Sequence, residues 1–254
     1  MRLGADPEVF LVDGSGRHLS AIGLIGGDKY NPLQVKGMRK GFTLQEDNVA
    51  LEFGIPPAAN ADEFVKHIQA VMMAGLNKVN KDGKTLKFST LSCTVFPAEE
   101  MKNPAVYVFG CEPDFNAWTN EENKKPKPPH IHMRSAGGHI HVETKRDARD
   151  GVRAMDLYLG VPSVLMDVLG GDRRSMYGQR GAYRPKPYGF EYRTLSNFWI
   201  FREELIRWAF RNTERAMNSD LELSNLDSLI ERAIDKGDKV VARELVKEFE
   251  LEVI

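Results

Sequence analysis

Along the first 55 residues, apolar positions come in short runs, and turn-forming residues such as Gly, Asp and Ser separate the runs. Short apolar runs bounded by turn residues are typical of β-strands. The strands predicted in this way cover residues 8–12, 21–25 and 42–53. Four later runs predict further strands at residues 86–91, 105–111, 138–143 and 190–195.

Between the strands the apolar residues follow a helical period. Asn60 is a predicted N-cap, apolar side chains between residues 64 and 76 recur at helical spacing, and the helix should end before Lys81. Further helices are predicted over residues 148–159, from Pro162, and from Phe198 onward. Two segments lack a period: the polar, proline-rich residues 119–134, predicted to be a functional loop, and the irregular residues 171–189.

This mixed order of strands and helices predicts an α+β fold with antiparallel strands, not a doubly wound parallel sheet. Residues 1–254 are expected to form a single catalytic domain, in which residues 200–254 are a helical C-terminal extension.

The composition narrows the class of protein. The chain has 254 residues and a net charge of −1, so no overall charge attracts it to nucleic acid or to an anionic membrane. It has two cysteines, Cys93 and Cys111, and no apolar run near the ~20 residues that span a bilayer. These features predict a cytoplasmic protein without a disulfide framework or a membrane partner.

Polar side chains stand inside several predicted strands. Residues two apart on a strand share one face of the sheet. The pairs are Asp6 and Glu8, Glu112 and Asp114, His139 and His141, and Glu191 and Arg193, with Glu46 and Glu52 six apart. A solvated sheet face is one interpretation. Because lysine is nearly absent from these pairs, the alternative is a set of carboxylates that needs divalent cations, with Mg²⁺ or Mn²⁺ suited to oxygen ligands.

An arginine-rich segment supplies the second signal. It contains Arg173, Arg174, Arg180 and Arg184 together with Tyr177. Planar guanidinium groups suit phosphate or carboxylate recognition. An ordinary basic surface loop is the competing interpretation, and the pattern does not favour RNA binding.

Taken together, these motifs resemble a known family. They are Gly-Ala-Asp-Pro-Glu-Val-Phe at 4–10, Gln-Glu-Asp-Asn-Val-Ala-Leu-Glu-Phe at 45–53, Cys-Glu-Pro-Asp-Phe-Asn-Ala-Trp at 111–118, Gly-Gly-His-Ile-His-Val at 137–142 and Tyr-Gly-Phe-Glu-Tyr-Arg at 188–193. The chain resembles the phage-type carboxylate–amine ligases (amidoligase type 2) of the glutamine synthetase and glutamate–cysteine ligase superfamily. The resemblance covers roughly residues 1–200.

The resemblance implies a curved antiparallel sheet, the glutamine synthetase-like catalytic half-barrel, flanked by helices. It also implies an ATP-dependent ligase that forms an amide through an acyl phosphate, with Mg²⁺, or alternatively Mn²⁺, as the ion. The substrates would be small-molecule or peptide carboxylates and amines. A phage-encoded enzyme would act in the host cytoplasm, and its helical tail could pack internally or join a homo-oligomer.

Carried onto this sequence, the resemblance assigns a role to each candidate residue. The implied metal ligands are Asp6, Glu8, Glu46, Glu52, His139 and Glu191. Arg193 would stabilise the transferred phosphoryl group, and Glu52 or Glu46 would accept the proton of the amine. The implied nucleotide or substrate ligands are Arg173, Arg174, Tyr177, Arg180 and Arg184. The six-residue spacing between Glu46 and Glu52 leaves Asp47 or Asn48 as an alternative ligand.

Two other functions remain open at this point. His139, His141 and Glu143 could mark a cupin-like non-haem metal oxygenase or isomerase. A catalytically silent binding protein of the same fold is the third possibility.

Overall fold

The structure, a computed structural model, describes residues 1–107, 113–124 and 128–254. Its strands are β1 (Arg2–Ala5), β2 (Glu8–Val9), β3 (Leu11–Val12), β4 (His18–Leu19), β5 (Leu33–Gln34), β6 (Thr43–Asp47), β7 (Ala50–Ala58), β8 (Lys87–Phe88), β9 (Cys93–Val95), β10 (Phe115–Asn116), β11 (Met133–Ser135), β12 (Ile140–Glu143), β13 (Ala182–Lys186) and β14 (Gly189–Tyr192). Its α-helices are α1 (Ala61–Val79), α2 (Ala148–Met155), α3 (Val161–Met166), α4 (Gly171–Arg174), α5 (Glu203–Met217), α6 (Asp227–Ile234) and α7 (Lys239–Glu248). A π-helical turn, Asp156–Gly160, links α2 to α3, and 3₁₀ turns cover Ala98–Met101, Pro104–Tyr107, Asn197–Phe201 and Ser224–Leu226.

In the described part of the chain, nine strands form the main sheet. Eight of them follow the order β10-β13-β14-β12-β1-β7-β6-β5, and β2 pairs with β7. Every pairing in this sheet is antiparallel. The predicted α+β class with antiparallel strands is therefore confirmed, whereas the half-barrel of the glutamine synthetase type stays a prediction.

The two faces of the main sheet differ in polarity. One face carries buried apolar side chains such as Leu3, Phe53 and Val142, which join a large hydrophobic core. Helix α1 packs against β7 and α5 on this side, where Phe64 stacks on Trp199 with ring centroids 5.7 Å apart. Burying each such side chain contributes roughly 1.5–3 kcal/mol. The opposite face holds the polar residues that alternate with this core.

Helix α1 begins as the sequence predicted. The side-chain oxygen of Asn60 accepts a hydrogen bond of 2.9 Å from the backbone N–H of Glu63. The Glu63 carboxylate in turn accepts one of 2.7 Å from the N–H of Ala59. The predicted N-cap is confirmed, and these bonds satisfy donors that have no partner within the helix.

Four sequence predictions need correction. Residues 21–25 form a turn rather than a strand. Residues 42–53 are not one strand but the hairpin of β6 and β7, which turns at Asn48 with a φ of 55°. Pro104–Tyr107 is a 3₁₀ turn rather than the start of a strand, and the rest of that predicted strand, with Cys111 and Glu112, lies outside the described residues. The segment 171–189 contains both α4 and β13.

The C-terminal region is helical, as predicted, and it packs against the rest of the chain. Helix α5 contacts α1 and α2, and α7 contacts α3. In the part of the chain that the structure describes, no helix has the length and apolar character needed to cross a membrane.

One buried carboxylate, Asp156, accepts hydrogen bonds from three separate segments on the apolar side of the sheet. It accepts hydrogen bonds from Trp118 Nε1 (2.7 Å), the Gly181 N–H (2.6 Å) and Tyr192 Oη (2.8 Å). Burial raises its pKa to about 7, although these donors act in the opposite direction. Since Tyr192 belongs to β14, this carboxylate connects that strand to the first residue of the π-helical turn.

Candidate metal centre

The polar face of the main sheet lines a cavity of about 880 Å³, called here the main cavity. It is within the range of 300–1,000 Å³ typical of ligand pockets. Residues of β2, β6, β7, β13 and β14 reach it, together with Asp6 after β1 and His139 before β12, because alternate residues of a strand face the same way.

Three of these side chains form the histidine group: Asp6, His139 and Glu191. One ligand atom of each lies within 4.8 Å of the others. The Nδ1 atom of His139 is 3.5 Å from Asp6 Oδ1 and 3.7 Å from Glu191 Oε1. The β-sheet register produces this meeting, since β12 lies between β1 and β14.

Three others form the acidic group: Glu8, Asp47 and Glu52. Their oxygens also lie within 4.8 Å of one another. Glu8 is paired with Glu52 across β2 and β7, while Asp47 comes from the adjacent end of β6. Their few described donors include the Gly137 N–H, 2.7 Å from Glu8, and Gln45 Nε2, 2.9 Å from Glu52.

Cations of the protein surround the histidine group. Glu191 is fully buried, yet it pairs with Arg193, with Lys186 at 3.1 Å and with Arg184 at 3.3 Å. Burial and the Asp6 charge would raise the pKa of Glu191, but Arg193 and the two neighbouring histidines outweigh them and lower it to about 2. Burial and Arg193 lower the pKa of His139 to about 4, which leaves a neutral imidazole able to bind a metal.

The acidic group shows the opposite behaviour. Burial, followed by the Asp47 charge, raises the pKa of Glu8 to about 8. Burial and the charges of Asp6, Asp47 and Glu8 raise the pKa of Glu52 well above its ordinary value. Burial likewise raises the pKa of Asp47. Among the described residues, the charges of Arg173, Arg193 and Lys29 lower these pKa values but do not offset burial and the repulsion between the acids.

The donor chemistry of both groups fits divalent metal ions. Among the described residues, Asp6 Oδ1 is a buried oxygen without a hydrogen-bond partner, and it belongs to the histidine group. Oxygen ligands with at most one imidazole suit Mg²⁺ or Mn²⁺. An ion at the acidic group would also provide the positive charge that its raised pKa values indicate is missing.

Residues 129–253 match the family model described as phage phiEco32-like COOH.NH2 ligase-type 2. The chain belongs to this ligase family. The match includes the helical tail, which the sequence motifs did not reach, and it contains His139, Glu191 and Arg193. Comparison with curated proteins gives no match.

In this ligase family member, the position of Glu46 corrects the predicted set of metal ligands. Its carboxylate faces away from the main cavity and accepts hydrogen bonds of 3.0–3.1 Å from the backbone N–H groups of Gly23, Ile25 and Gly26. The reason is the hairpin turn between β6 and β7, which places Glu46 and Glu52 on different strands and opposite faces. Asp47, the alternative that the spacing left open, takes the place in the cavity.

Two arginines of the predicted nucleotide set also need correction. Arg174 lies 3.6 Å from the buried Asp167. Arg180 forms ion pairs of 2.8 Å with Asp227 and 3.3 Å with Glu231 of α6. Neither lines the main cavity, because both serve as internal counter-charges for acids of the helical region.

Arg173, Tyr177 and Arg184 do line the main cavity. Arg173 is almost fully buried, and its guanidinium donates to the backbone oxygens of Thr194 at 2.8 Å and Arg193 at 3.1 Å. Burial lowers its pKa to about 10, so it stays charged at neutral pH. These two bonds fix its orientation beside the metal-ligand groups.

Sequence reasoning missed two polar side chains of the site. Lys186 is two residues beyond Arg184 on β13, so the strand period could have identified it. Tyr188 had no such signal, because it follows the end of that strand. Its hydroxyl lies 2.5 Å from His141 Nδ1, while His141 Nε2 lies 3.0 Å from Asp6. Burial opposes protonation of His141, but Asp6 outweighs it and raises the histidine pKa.

Proposed function

We propose that the chain is an ATP-dependent carboxylate–amine ligase that forms an amide through an acyl-phosphate intermediate, with Mg²⁺ or Mn²⁺ bound in the main cavity. The observation that carries the proposal is the placement of two groups of divalent-ion ligands in one cavity with Arg173, Arg184 and Arg193. Nucleotide phosphates need this combination of metal ions and planar cations.

In this proposal the histidine group and the acidic group hold the ions, which neutralise charge on the phosphate oxygens when bound. Arg173, Tyr177 and Arg184 contact the nucleotide. An oxygen of the substrate carboxylate forms a bond to the terminal phosphorus of ATP, and the bond from that phosphorus to ADP breaks. The substrate amine then attacks the acyl carbon, and phosphate leaves with the electron pair of the broken C–O bond.

The amine must lose a proton in the second step, and Glu52 is the proposed acceptor. A carboxylate accepts a proton only in its ionised form, which an ion held by Glu8 and Asp47 would favour for Glu52 despite its raised pKa. Arg193 is the proposed donor to the transferred phosphoryl group. Its Nε is 3.3 Å from Asp114 and its Nη1 pairs with Glu191, so two acids hold the guanidinium in one orientation.

The geometry gives less support to an oxygenase. Such an enzyme would use two histidines and one carboxylate, whereas the histidine group contains one histidine and two carboxylates. His141 instead hydrogen-bonds to the oxygen of Asp6 and to Tyr188.

Thermal unfolding with nucleotide and metal tests the proposal. The midpoint should rise with ATP and Mg²⁺ together and much less with ATP alone, because ligands that bind the folded state stabilise it. The Glu191→Gln protein should lose this combined effect, whereas Glu244→Gln, at an exposed position of α7, should keep it. A wild-type protein indifferent to ATP with Mg²⁺ or Mn²⁺ would contradict the ligase and favour a silent binding protein.

Catalysis is then measured as ADP release in a screen of amino acids, peptides and amines. The ligase reaction requires that ADP release depend on both a carboxylate and an amine. If ATP and Mg²⁺ stabilise the protein but no pair of substrates causes ADP release, the result supports nucleotide binding and contradicts the ligase reaction for the carboxylates and amines tested.

A further inference from the structure

The turn between β6 and β7 is held by two side chains that have no part in the reaction proposed above. The first is Asn48, whose φ of 55° lies in the left-handed region that Asn adopts more readily than most residues. Its amide oxygen accepts hydrogen bonds of 3.0 Å from the N–H of Val49 and from Nε of Arg134. Its Nδ2 donates one of 2.6 Å to the backbone oxygen of Val106. Both ends of this amide are therefore engaged within the protein, which favours Asp47 as the metal ligand of the turn.

The second side chain, Arg134, connects three segments of the chain. Besides its bond to the turn, it donates from Nη2 to the backbone oxygen of Val106 at 2.7 Å. From Nη1 it donates to the backbone oxygens of Ile131 and Met133, each at 2.8 Å. This buried guanidinium thus joins the hairpin turn, the 3₁₀ turn Pro104–Tyr107 and the segment that enters β11.

These contacts form part of the wall of the main cavity. Asn48 and Arg134 both line it, and Asp47 of the acidic group immediately precedes Asn48 in the chain. Asp47 reaches the cavity only while the hairpin turns at this point, because a slip of one residue would move it to the other face of the sheet. The position of one acidic ligand therefore depends on contacts 58 and 86 residues away along the chain.

We propose that Arg134 and Asn48 are positioning residues, which fix Asp47 in the acidic group and so set the affinity of that group for a divalent ion. The inference rests on the proposed function and adds two residues that act on the metal site without binding the ion. Loss of the partners that orient metal ligands weakens metal binding by roughly 10–100-fold in other proteins.

The charge of Arg134 predicts the opposite sign. A guanidinium in the cavity wall repels a cation, so its removal alone should strengthen metal binding. Loss of the position of Asp47 should weaken it. The direction of the change in Arg134→Gln therefore separates the positioning role from an effect of charge.

Mn²⁺ binding to the full chain, followed by the electron paramagnetic resonance signal of free Mn²⁺, tests the inference. Arg134→Gln and Arg134→Lys should each weaken the binding of at least one ion roughly tenfold. Asn48→Gly should do the same, because glycine accepts the φ of the turn and only the amide is lost.

Two matched controls exclude a general effect of the substitutions. Arg146 also donates to three backbone oxygens, at the end of α5, but it does not line the main cavity. Asn120 is exposed and has a φ of 60°. Arg146→Gln and Asn120→Gly should therefore bind Mn²⁺ like the wild type, even where Arg146→Gln lowers the unfolding midpoint.

Hydrogen exchange of the metal-free proteins provides a second measurement. Backbone amides of the β6–β7 hairpin should exchange faster in Arg134→Gln and Asn48→Gly, by roughly fivefold or more, and at the wild-type rate in both controls. The inference is overturned if Arg134→Gln binds Mn²⁺ as tightly as the wild type or more tightly, if Asn48→Gly binds it like the wild type, or if exchange in the hairpin does not change. A wild-type protein that binds no Mn²⁺ would count against the proposed function instead, and hydrogen exchange would still test the link between Arg134 and the hairpin.

Discussion

The histidine group and the acidic group lie in one cavity and contain similar side chains, yet their charges are compensated differently. Arginine and lysine surround Glu191 of the histidine group. Glu8 of the acidic group accepts a hydrogen bond from a backbone N–H, and the charges of Arg173 and Arg193 do not offset its burial and the charge of Asp47. As a result the same residue type has a pKa of about 2 in one group and about 8 in the other.

This difference indicates that the two groups have different roles. The protein itself balances the histidine group, so its two carboxylates are charged and its histidine is neutral without an ion. In the proposed function, the acidic group takes its counter-charge from an ion, and its carboxylates release protons when that ion binds. Carboxylates whose surroundings separate their pKa values in this way are typical of sites that need both a fixed charge and a proton acceptor.

The largest expected effect comes from Glu191→Gln. It removes a proposed metal ligand and leaves Arg184, Lys186 and Arg193 without their shared acid. Ligase activity, measured as ADP release, should fall roughly 100-fold or more. Because the change breaks a buried ion-pair cluster, the free energy of unfolding should also fall, by about 3–5 kcal/mol in chemical denaturation. If the Glu191→Gln protein were active and as stable as the wild type, the ion pairs around Glu191 would not set the histidine group apart from the acidic group.

Arg193→Lys should produce the next largest effect. A lysine keeps the charge but cannot contact Glu191 and Asp114 with two arms of one planar group. ADP release should drop roughly tenfold or more in steady-state kinetics, with a smaller change in stability than Glu191→Gln causes. Equal activity of the two proteins would mean that charge alone, without orientation, suffices at this position.

Glu52→Gln should change stability in the opposite direction. In the absence of metal, the neutral amide removes repulsion from Glu8 and Asp47 and still accepts the hydrogen bond of Gln45. At pH 8 the metal-free protein should gain about 1 kcal/mol, a rise of roughly 2–4 °C in the unfolding midpoint. The same protein should lose stabilisation by Mg²⁺ and ATP. If the metal-free Glu52→Gln protein had a lower unfolding midpoint than the wild type, repulsion between the carboxylates of the acidic group would not be the dominant effect at this position.

The smallest expected effect is a dependence of metal-free stability on pH. Glu8, Asp47 and Glu52 have raised pKa values, so their stabilisation is complete below about pH 4 and is lost as the pH rises, through about 8 for Glu8. Glu191 has a lowered pKa, so its contribution to stability is lost only as the pH falls into the acidic range. Unfolding midpoints should decline between pH 6 and 9, as approximate limits of that range, and Mg²⁺ should reduce the decline. If the unfolding midpoint of the metal-free protein did not change with pH over this range, the raised pKa values of the acidic group would be contradicted.

Strand periodicity predicted much of this site. The two-residue spacing put Glu191 and Arg193 together, and His139 lies beside Glu191 because their strands are neighbours. Periodicity failed at Glu46, since a hairpin turn without glycine or proline interrupts the run and changes the face. A pattern of residues two apart is reliable only while the strand continues.

The arginine segment shows the other limit. Its composition indicated anion binding, and Arg173 and Arg184 do line the main cavity. Arg174 and Arg180 instead neutralise Asp167 and the acids of α6, which are close only after folding. No local pattern distinguishes an arginine that contacts a ligand from one that balances an acid, because the acid can lie far along the chain, as Asp227 does from Arg180.

The carboxylate of Asp156, on the apolar side of the sheet, affects the position of residues on the opposite, polar side. It holds Tyr192, the last residue of β14, whose neighbours along the chain, Glu191 and Arg193, line the main cavity. A shift of that tyrosine would therefore tilt both neighbours, although Asp156 touches neither. Substitutions that alter turnover in this enzyme are thus to be sought in its hydrophobic interior as well as among the side chains that meet its substrates.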